Sequence, residues 1–228
     1  MGENIAGLAH CVKNLLNGFK SGEYLVNRAI KKQDLGMISK GWNMVEKNIA
    51  RISKLVLDML TYVKDRELEY SEVDLNNLIE EAREVLSLQA DKVGVEIKTK
   101  TDENLNKVTL DSKGILRCLV NLIGNGIDAC SEQGGVVAVE TRLDSDDYFE
   151  LAVSDTGCGM DQDTLKVLFT KFFSTKGSQG TGLGLSVVQQ IVKEHQGSIM
   201  VKSEPGQGTT FSLRLPRHPS SGKLAMRR

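Results

Sequence analysis

Two runs of apolar residues with a seven-residue repeat constrain the fold of this chain more than any other feature. Both runs step by alternating three and four residues, which is the spacing of helices that pack lengthwise as in coiled coils. The first run is Ile5, Leu8, Val12, Leu15, Phe19, Gly22, Val26 and Ala29. The second run is Ile38, Trp42, Val45, Ile49, Ile52, Val56, Met59 and Val63. The sequence therefore predicts two long helices before residue 70.

A short polar stretch, KKQDLG at residues 31–36, separates the two runs. Because connections this short join antiparallel neighbours, we expect a helical hairpin over residues 1–69. Two helices cannot enclose a core alone, and a symmetric dimer that forms a four-helix bundle is the economical solution. The sequence thus predicts a homodimer through the helical hairpin.

From residue 70 the pattern changes to a mixture of helices and strands. Amphipathic helices are predicted over residues 75–94, 113–132 and 182–197. Strand patterns occur in VEIKTKT, VVAVETRL, YFELAVSD, SIMVKSE and TTFSLRLP, and KVTLDS is either a strand or an extended segment leading into a helix. Several strands pair as hairpins, so residues 70–217 are predicted to form an α/β sandwich with helices on one face of a mixed sheet. The overall class is α+β, and residues 218–228 are predicted to be a disordered tail.

Composition excludes several classes of function. The formal net charge is −1 and no basic patch is present, which argues against a nucleic-acid partner. No apolar run approaches the roughly 20 residues that cross a bilayer, and no signal-peptide pattern is present, so we expect no membrane contact in this chain. The four cysteines (Cys11, Cys118, Cys130 and Cys158) form no C-x-x-C pair, which favours a reducing, cytoplasmic setting without structural zinc. A further domain outside this chain could still be membrane-bound.

Asparagines in the stretch NLIGNGIDA form the first of three candidate ligand-binding features. Asn121 and Asn125 are four residues apart on a predicted helix, so their amides share one face. Amide oxygens are neutral ligands that suit a magnesium ion carrying a nucleotide, although two such asparagines are more often ordinary surface residues.

The second feature, SDTGCGM, follows a predicted strand. Asp155 stands at the strand end, where its carboxylate could accept a hydrogen bond from an exocyclic amine such as that of adenine. Gly157 and Gly159 allow the backbone to turn and approach a ligand closely. A simple Asx turn explains the same residues.

The third feature, GTGLGL at residues 180–185, opens a predicted helix. The free backbone N–H groups and the helix dipole at such a position favour phosphate binding. No strand leads directly into it, so a dinucleotide-binding loop is a poor interpretation. The preceding KFFSTKGSQ is polar and contains glycine, and it predicts a mobile lid over phosphate.

In this order and spacing, the three features resemble the ATP-binding domain of sensor histidine kinases, within the superfamily that includes gyrase, heat-shock chaperones and mismatch-repair ATPases. NLIGNGIDA resembles the N box, DTGCGM and GTGLGL resemble the two glycine boxes, and FTKFFSTK resembles the phenylalanine box. The helical hairpin resembles the dimerisation and histidine phosphotransfer domain of the same kinases. The resemblance therefore covers nearly the whole chain.

The resemblance implies that the chain binds ATP and Mg²⁺. By position, Asn125 coordinates the magnesium ion and Asn121 lines the phosphate side. Asp155 binds the adenine amine, with Thr209 beside it. The other residues that it assigns to nucleotide binding are Asp128, Gly157, Gly159, Lys176, Gly180, Thr181, Gly182, Leu183 and Gly184. The residues that it assigns to anchoring the lid are Phe169, Phe172 and Phe173.

The three histidines have different predicted roles. His195 lies in the last turn of a helix and is predicted to cap it, and His218 is predicted to be solvated. His10 lies off the apolar run and in isolation would be a surface residue. However, AHCVKN resembles the histidine box, which implies that His10 is autophosphorylated with ATP and passes the phosphoryl group to an aspartate of a response-regulator receiver domain.

Asn121 favours phosphoryl transfer to a histidine over hydrolysis of ATP by water. Superfamily members that hydrolyse ATP with water have a glutamate base at this position, and an asparagine cannot accept a proton. Two alternatives remain open: an ATPase of the same superfamily, and a non-enzymatic, ATP-gated dimeric scaffold or degenerate kinase that binds a response regulator.

Residues near His10 depart from the family pattern. Cys11 stands where the family usually has an acid that orients the histidine and accepts its proton, and Leu15 replaces the customary proline. Asn14, one turn after His10, matches the position that holds water for dephosphorylating the response regulator. We therefore expect slow autophosphorylation, unless a base comes from elsewhere, with phosphatase activity retained.

Overall fold

The computed structural model describes most of the chain. The described residues are 2–63, 68–102, 105, 107–176 and 180–218. Within the two N-terminal helices, only the backbone is described at residues 2–11, 54 and 57–63. The predicted tail lies almost entirely outside the described residues. Contacts divide the chain into two compact units, one made of residues Met1–Arg66 and Phe169–Val187, and the other of Glu67–Leu168 and Val188–Arg228.

Helices α1 (Gly2–Lys32) and α2 (Leu35–Val63) form the predicted antiparallel hairpin. Gln33 has a left-handed backbone (φ 54°) that reverses the chain between the helices. Asp34 then starts α2, because its Oδ1 accepts a hydrogen bond from the backbone N–H of Met37 at 2.9 Å. The polar break that the sequence contains is therefore a turn followed by a helix N-cap.

Glycines allow the two helices to approach closely. A Cβ built on Gly22 would lie 3.0 Å from the carbonyl oxygen of Gly41, and a Cβ built on Gly41 would lie 2.9 Å from the backbone N of Val26. Larger side chains at these two positions would push the helix backbones apart. Gly22 therefore occupies its place in the first apolar run because it has no side chain.

The second unit contains most of the remaining elements. The elements are β1 (Tyr70–Asp74), α3 (Leu75–Lys92), β2 (Val95–Lys100), β3 (Lys107–Asp111), α4 (Ser112–Ala129), β4 (Gly135–Leu143), β5 (Tyr148–Asp155), α5 (Gln162–Val167), α6 (Gly184–Glu194), β6 (Ser198–Glu204) and β7 (Gly208–Pro216). All the strongly patterned helices and strands were predicted. The short elements β1 and α5 were not.

A five-stranded sheet with the order β2-β4-β5-β7-β6 forms the framework of this unit. Strands β2 and β4 are parallel and the other neighbours are antiparallel, which confirms a mixed sheet. Alternate residues of β4, β5 and β7 are buried, and α3 and α4 pack against the sheet. The predicted α+β class, with a helical hairpin followed by an α/β sandwich, is confirmed.

A separate two-stranded sheet pairs β1 with β3, with Tyr70 opposite Asp111. The sequence of β1, YSEVD, is short and polar and has no clear strand pattern. Its pairing depends on residues far along the chain, including an ion pair between Glu72 and Lys107 at 2.7 Å. Both side chains of this ion pair are mostly exposed, so the pair contributes little stability.

Among the described residues, no helix combines the length and apolar character that crossing a membrane requires.

Candidate active site

Helix α4 presents three of the predicted site residues on one face, because Asn121, Asn125 and Asp128 are spaced by four and three residues. Asn121 is buried, at 5% exposure, and its Nδ2 donates to the carbonyl oxygen of Arg117 at 3.0 Å. One N–H of the amide is thus used within the helix, which leaves the second N–H and the oxygen of Asn121 to offer to a ligand. Asn125 is half-buried.

Asp128 stands at the exposed end of this face. Its Oδ1 accepts a hydrogen bond from Nε2 of Gln89 on α3 at 3.2 Å. Its predicted role in nucleotide binding stays a prediction.

The end of β5 places Asp155 at the boundary between core and ligand-accessible surface. Residues Val137, Asp155 and Thr209 lie opposite one another on β4, β5 and β7. Ser203 of β6 continues this row beside Thr209. The neighbouring row of the same face holds Val139, Val153 and Phe211, which are buried. The apolar face of the sheet therefore becomes polar at its last row, where three oxygen-bearing side chains follow one another.

Hydrogen bonds fix this polar row. Oδ1 of Asp155 accepts a bond from the backbone N–H of Gly157 at 2.9 Å, which closes the Asx turn. The hydroxyl of Ser203 lies 2.9 Å from that of Thr209 and accepts a bond from the backbone N–H of Met160 at 2.9 Å. Asp155 and Thr209 are thus held side by side, as the resemblance implies. Ser203 was missed because a serine on a strand forms no motif.

Two glycines make the loop after Asp155 possible. A Cβ on Gly157 would lie 2.6 Å from Cβ of Ala129, at the end of α4. Gly159 has a left-handed backbone (φ 65°), and a Cβ there would collide with the carbonyl oxygen of Glu204. The loop is therefore packed between α4 and the β6–β7 turn, and only glycine fits at either position.

Gly126 links α4 to Asp155. A Cβ on Gly126 would lie 2.9 Å from a methyl group of Val137 and 3.2 Å from Cβ of Asp155, whereas a Cβ on Gly124 would meet nothing within 4 Å. We expect Gly126→Ala to displace Asp155 and weaken nucleotide binding by about tenfold, the equivalent of about 1.4 kcal/mol. Titration with a fluorescent ATP analogue measures this loss.

The control is Gly124→Ala, which adds the same methyl group to the same helix in open space. It should bind nucleotide as the unmodified protein does and gain up to about 1 kcal/mol in helix propensity. Equal affinities for the two variants would show that Gly126 does not position Asp155.

Residues 169–176 and 180–187, named the lid segment because the predicted lid is residues 171–179, belong to the first unit with the helical hairpin. Phe172 has a left-handed backbone (φ 64°), and its N–H donates to the carbonyl oxygen of Gly182 at 2.8 Å. Gly182 also has a positive φ of 65°, and a side chain there would collide with the backbone of Phe172. The first part of the lid segment is therefore tied to the glycine stretch that precedes α6.

Leu183 anchors the lid segment to the hairpin. Its side chain is 4% exposed and packs in a cluster with Leu15 and Leu55, against which Ile52 and Phe172 also lie. The resemblance assigned Leu183 to nucleotide binding, and this packing leaves only its backbone for a phosphate. The backbone N–H donates to Thr181 Oγ1 at 3.4 Å.

The remaining lid residues are more open. Gly180, Thr181, Gly182 and Gly184 are half-buried, and Lys176 is exposed. Ser174 Oγ accepts a hydrogen bond from the backbone N–H of Lys176 at 3.2 Å. Phe169 and Phe173 are half-buried, which suits their predicted anchoring role.

The predicted phosphoacceptor lies on α1. The side chains of His10 and Cys11 are outside the described residues, so their predicted exposure stays a prediction. Asn14 is half-buried one turn later, next to the buried Leu15.

His195 caps its helix in a different way from the one that the sequence indicated. It is 2% exposed, and its Nε2 accepts a hydrogen bond from the backbone N–H of Asp111 at 3.1 Å. Nδ1 must then carry the proton that is shared with the carbonyl oxygen of Ile191 at 2.7 Å. The ring is therefore neutral and joins the end of α6 to β3, and it does not act as a charge at the helix terminus.

Comparison with known proteins identifies relatives of both parts of the chain. Residues 110–219 match the family described as histidine kinase-, DNA gyrase B- and HSP90-like ATPases. The signal transduction histidine-protein kinase AtoS of Escherichia coli K12 is 33% identical over 98% of this chain, which covers 36% of AtoS. The chain spans between about a quarter and a half of the length of the curated relatives that it matches.

Solved structures agree with this result. The catalytic domain of the histidine kinase ThkA is 30% identical, with a TM-score of 0.59, over 66% of this chain and 99% of that domain. Full-length ShkA in complex with AMPPNP is 27% identical, with a TM-score of 0.69, over 94% of this chain and 45% of ShkA.

Proposed function

The chain belongs to the histidine kinase family, and from this premise we propose that it is the transmitter part of a two-component sensor kinase. Its substrate is ATP, its phosphoacceptor is His10, and its partner is the receiver domain of a response regulator. The phosphoryl group passes from ATP to His10 and then to an aspartate of that partner.

The observation that carries the proposal is Asn121. It occupies the buried position on α4 where a hydrolytic superfamily member needs a base, and an amide cannot accept a proton from water. An ATP site without such a base is suited to transfer the phosphoryl group to a side chain. This chemistry depends mainly on positioning and charge neutralisation.

Each step of the transfer has a group to perform it. A ring nitrogen of neutral His10 attacks the γ-phosphorus, the bond to the bridging oxygen breaks, and ADP leaves. Asp155 and Thr209 hold the adenine end, and Asn121 lines the phosphates. The backbone of residues 180–184 and Lys176 contact the phosphates.

Mg²⁺ fits the donors that α4 offers, because Asn125 provides a half-buried amide oxygen on the same face as Asn121. When bound, the ion neutralises charge on the phosphate oxygens.

Incubation of the protein with γ-labelled ATP and Mg²⁺ tests the proposal. We expect label on the protein that is lost in acid and stable in base, and that does not form when EDTA removes Mg²⁺. Release of free phosphate without protein label would favour the ATPase alternative. Nucleotide binding with neither outcome would favour the scaffold.

A phosphatase function is the second candidate, and the pair Cys11 and Asn14 favours it. Cys11 cannot orient His10 as a carboxylate would, because an ordinary thiol is mostly protonated near neutral pH. Asn14 retains the amide that positions water for the phosphorylated response regulator. The balance between the two activities therefore depends on residues one and four positions after His10.

Restoring the acid tests this balance. We expect Cys11→Glu to autophosphorylate roughly tenfold faster or more, because a positioned base contributes about 10²–10⁴-fold to proton transfer at full efficiency. Initial rates with γ-labelled ATP measure the change, and Cys11→Gln is the uncharged control of the same size. An unchanged or lower rate in Cys11→Glu would mean that the missing acid does not limit the reaction.

The homodimer is proposed from a second apolar stripe on α2. Leu35, Trp42, Ile49 and Val56 recur every seven residues on this helix and are 79%, 55%, 49% and 48% exposed in the single chain. The buried Gly41, Val45 and Asn48 face α1 instead. In a single hairpin this apolar heptad stripe is exposed to water. A four-helix bundle made of two hairpins would bury it.

A charge in this stripe should break the dimer. We expect Ile49→Glu to raise the dissociation constant about a hundredfold, because burial of two isoleucines per dimer contributes about 3 kcal/mol or more. Sedimentation velocity at fixed concentrations measures the shift. Lys47→Glu adds a glutamate at an exposed position of the same helix and should stay dimeric. A monomeric unmodified protein would contradict the dimer.

Several further assignments complete the proposal. The chain acts in the cytoplasm and has no nucleic-acid or membrane partner of its own, and its domains are residues 1–69 and 70–217. The lid segment contacts the hairpin within the first unit, so we propose that lid and phosphoacceptor helix act together.

A further inference from the structure

Two cysteines stand on either side of the loop that follows Asp155. Cys158 lies in that loop and is exposed, while Cys130 is the C-cap residue that directly follows α4 and is 2% exposed. The N–H of Cys158 donates to the carbonyl oxygen of Ala129 at 3.3 Å. The loop is therefore hydrogen-bonded to the peptide group that joins Ala129 to Cys130.

This hydrogen bond limits the distance between the two cysteines. Standard backbone dimensions on each side of it place the two Cα atoms within about 7.5 Å of each other. Disulfides span Cα distances of about 4.4–6.8 Å, so the upper limit on this Cα separation is close to the range that a bridge requires. The sulfur of Cys130 already contacts the loop, because it lies 4.0 Å from Oγ1 of Thr156.

The two thiols differ in their surroundings. Burial raises the pKa of the Cys130 thiol, hydrogen bonding with Thr156 opposes this effect, and the charge of Asp155 and, to a smaller extent, that of Cys158 raise the pKa further. Cys158 is the thiol that a dissolved oxidant meets first.

We propose that Cys130 and Cys158 are a redox-responsive pair that hydrogen peroxide closes into a disulfide, and that the disulfide weakens ATP binding at Asp155. The second half of this statement rests on the function proposed above. The pair would connect the oxidation state of the surroundings to the nucleotide site of the kinase.

The chemistry balances in two steps. The Cys158 thiolate attacks one oxygen of hydrogen peroxide, the O–O bond breaks, and hydroxide leaves as water, which gives a sulfenic acid. The Cys130 thiolate then attacks the sulfur of that sulfenic acid, and a second water leaves as the S–S bond forms. In total, two thiols are oxidised by one peroxide, whose two oxygens are reduced to water.

The packing of the loop explains the effect on nucleotide binding. Gly157 has little room to move towards α4, because a Cβ built on it would already lie 2.6 Å from Cβ of Ala129. Drawing Cys158 towards Cys130 must therefore alter the turn in which Asp155 accepts the N–H of Gly157. A misplaced carboxylate loses its hydrogen bond to the adenine amine, which lowers affinity by about tenfold or more.

Mass spectrometry of the peroxide-treated protein, digested without reductant, tests the bridge. Trypsin places Cys158 in the peptide of residues 143–166 and both Cys118 and Cys130 in that of residues 118–142. We expect these peptides to be cross-linked in the unmodified protein and in Cys118→Ala. The link should be absent in Cys158→Ser and in both Cys130→Ser and Cys130→Ala. Oxidation of Cys158 without the link, or a link to Cys11 or a second chain, would overturn the proposal.

Nucleotide affinity provides a second, independent measurement. Oxidation should weaken binding of a fluorescent ATP analogue about tenfold or more, and dithiothreitol should restore it. Peroxide-treated Cys130→Ala should keep its affinity. A cross-link that leaves affinity unchanged would overturn the regulatory part. If the reduced protein binds no nucleotide, the proposed function is refuted, but the proposal that Cys130 and Cys158 form a disulfide is not affected.

Discussion

Replacement of His10 by glutamine should reduce labelling by γ-labelled ATP to background. Glutamine has similar size and polarity, but its amide nitrogen is not nucleophilic and cannot form the phosphoramidate bond. ATP binding should be unchanged, since no nucleotide-binding role is assigned to the His10 side chain in the absence of transfer, and Asp155, Thr209 and the face of α4 belong to the other unit of the chain. Initial rates of labelling and titration with a fluorescent ATP analogue measure the two properties separately.

His218→Gln is the matched control, because His218 is an exposed histidine of the same chain. Its labelling should equal that of the unmodified protein. Full labelling of His10→Gln would show that a residue other than His10 accepts the phosphoryl group. Loss of both labelling and nucleotide binding in His10→Gln would indicate a folding defect, which circular dichroism would detect.

Replacement of Asp155 by asparagine should weaken ATP binding by about 1.5–3 kcal/mol, or roughly 10- to 150-fold. The asparagine oxygen can keep the turn by accepting the N–H of Gly157, as Oδ1 of Asp155 does at 2.9 Å. The NH₂ group of the asparagine then takes the place of the second carboxylate oxygen. Because NH₂ is a hydrogen-bond donor, it cannot accept a bond from the adenine amine, which is also a donor. Isothermal titration with ATP and with GTP measures the change.

Asp161→Asn controls for the loss of one carboxylate at a turn. Asp161 Oδ1 accepts the N–H of Thr164 at 2.8 Å and caps α5. This variant should keep its ATP affinity. Equal affinities for Asp155→Asn and the unmodified protein would show that Asp155 forms only the Asx turn.

Periodicity explains why the long elements could be predicted. The heptad runs specify α1 and α2 because every third or fourth residue must meet the facing helix. The same runs did not show which positions face α1 and which face outwards. That division depends on Gly22 and Gly41, where two backbones touch, and such a contact is a property of the pair of helices.

Local motifs explain why part of the nucleotide site could be predicted. Asp155, Gly157 and Gly159 act within one loop, so their spacing carries the information. Thr209 could be placed beside Asp155 only through the resemblance, because the two residues meet through the register of β5 and β7. Ser203 lies in the same row because β6 pairs with β7, and nothing in its own sequence surroundings predicted this position.

Long-range packing explains what the sequence could not indicate. The role of His195 depends on the N–H of Asp111, which is 84 residues away in the chain. Leu183 lies in a glycine motif, yet its side chain packs against Leu15 and Leu55 of the hairpin. In both cases the partner is chosen by the folded structure, and the residue's own neighbours in the sequence give no sign of it.

Localisation of the phosphoryl group in the unmodified protein tests the central claim most directly. After incubation with ATP and Mg²⁺, tryptic peptides are analysed by mass spectrometry without exposure to acid. The peptide of residues 1–13 contains His10 and no serine, threonine or tyrosine. The proposed mechanism predicts one phosphoryl group on this peptide that brief acid treatment removes. ATP turnover with this peptide unmodified would contradict it.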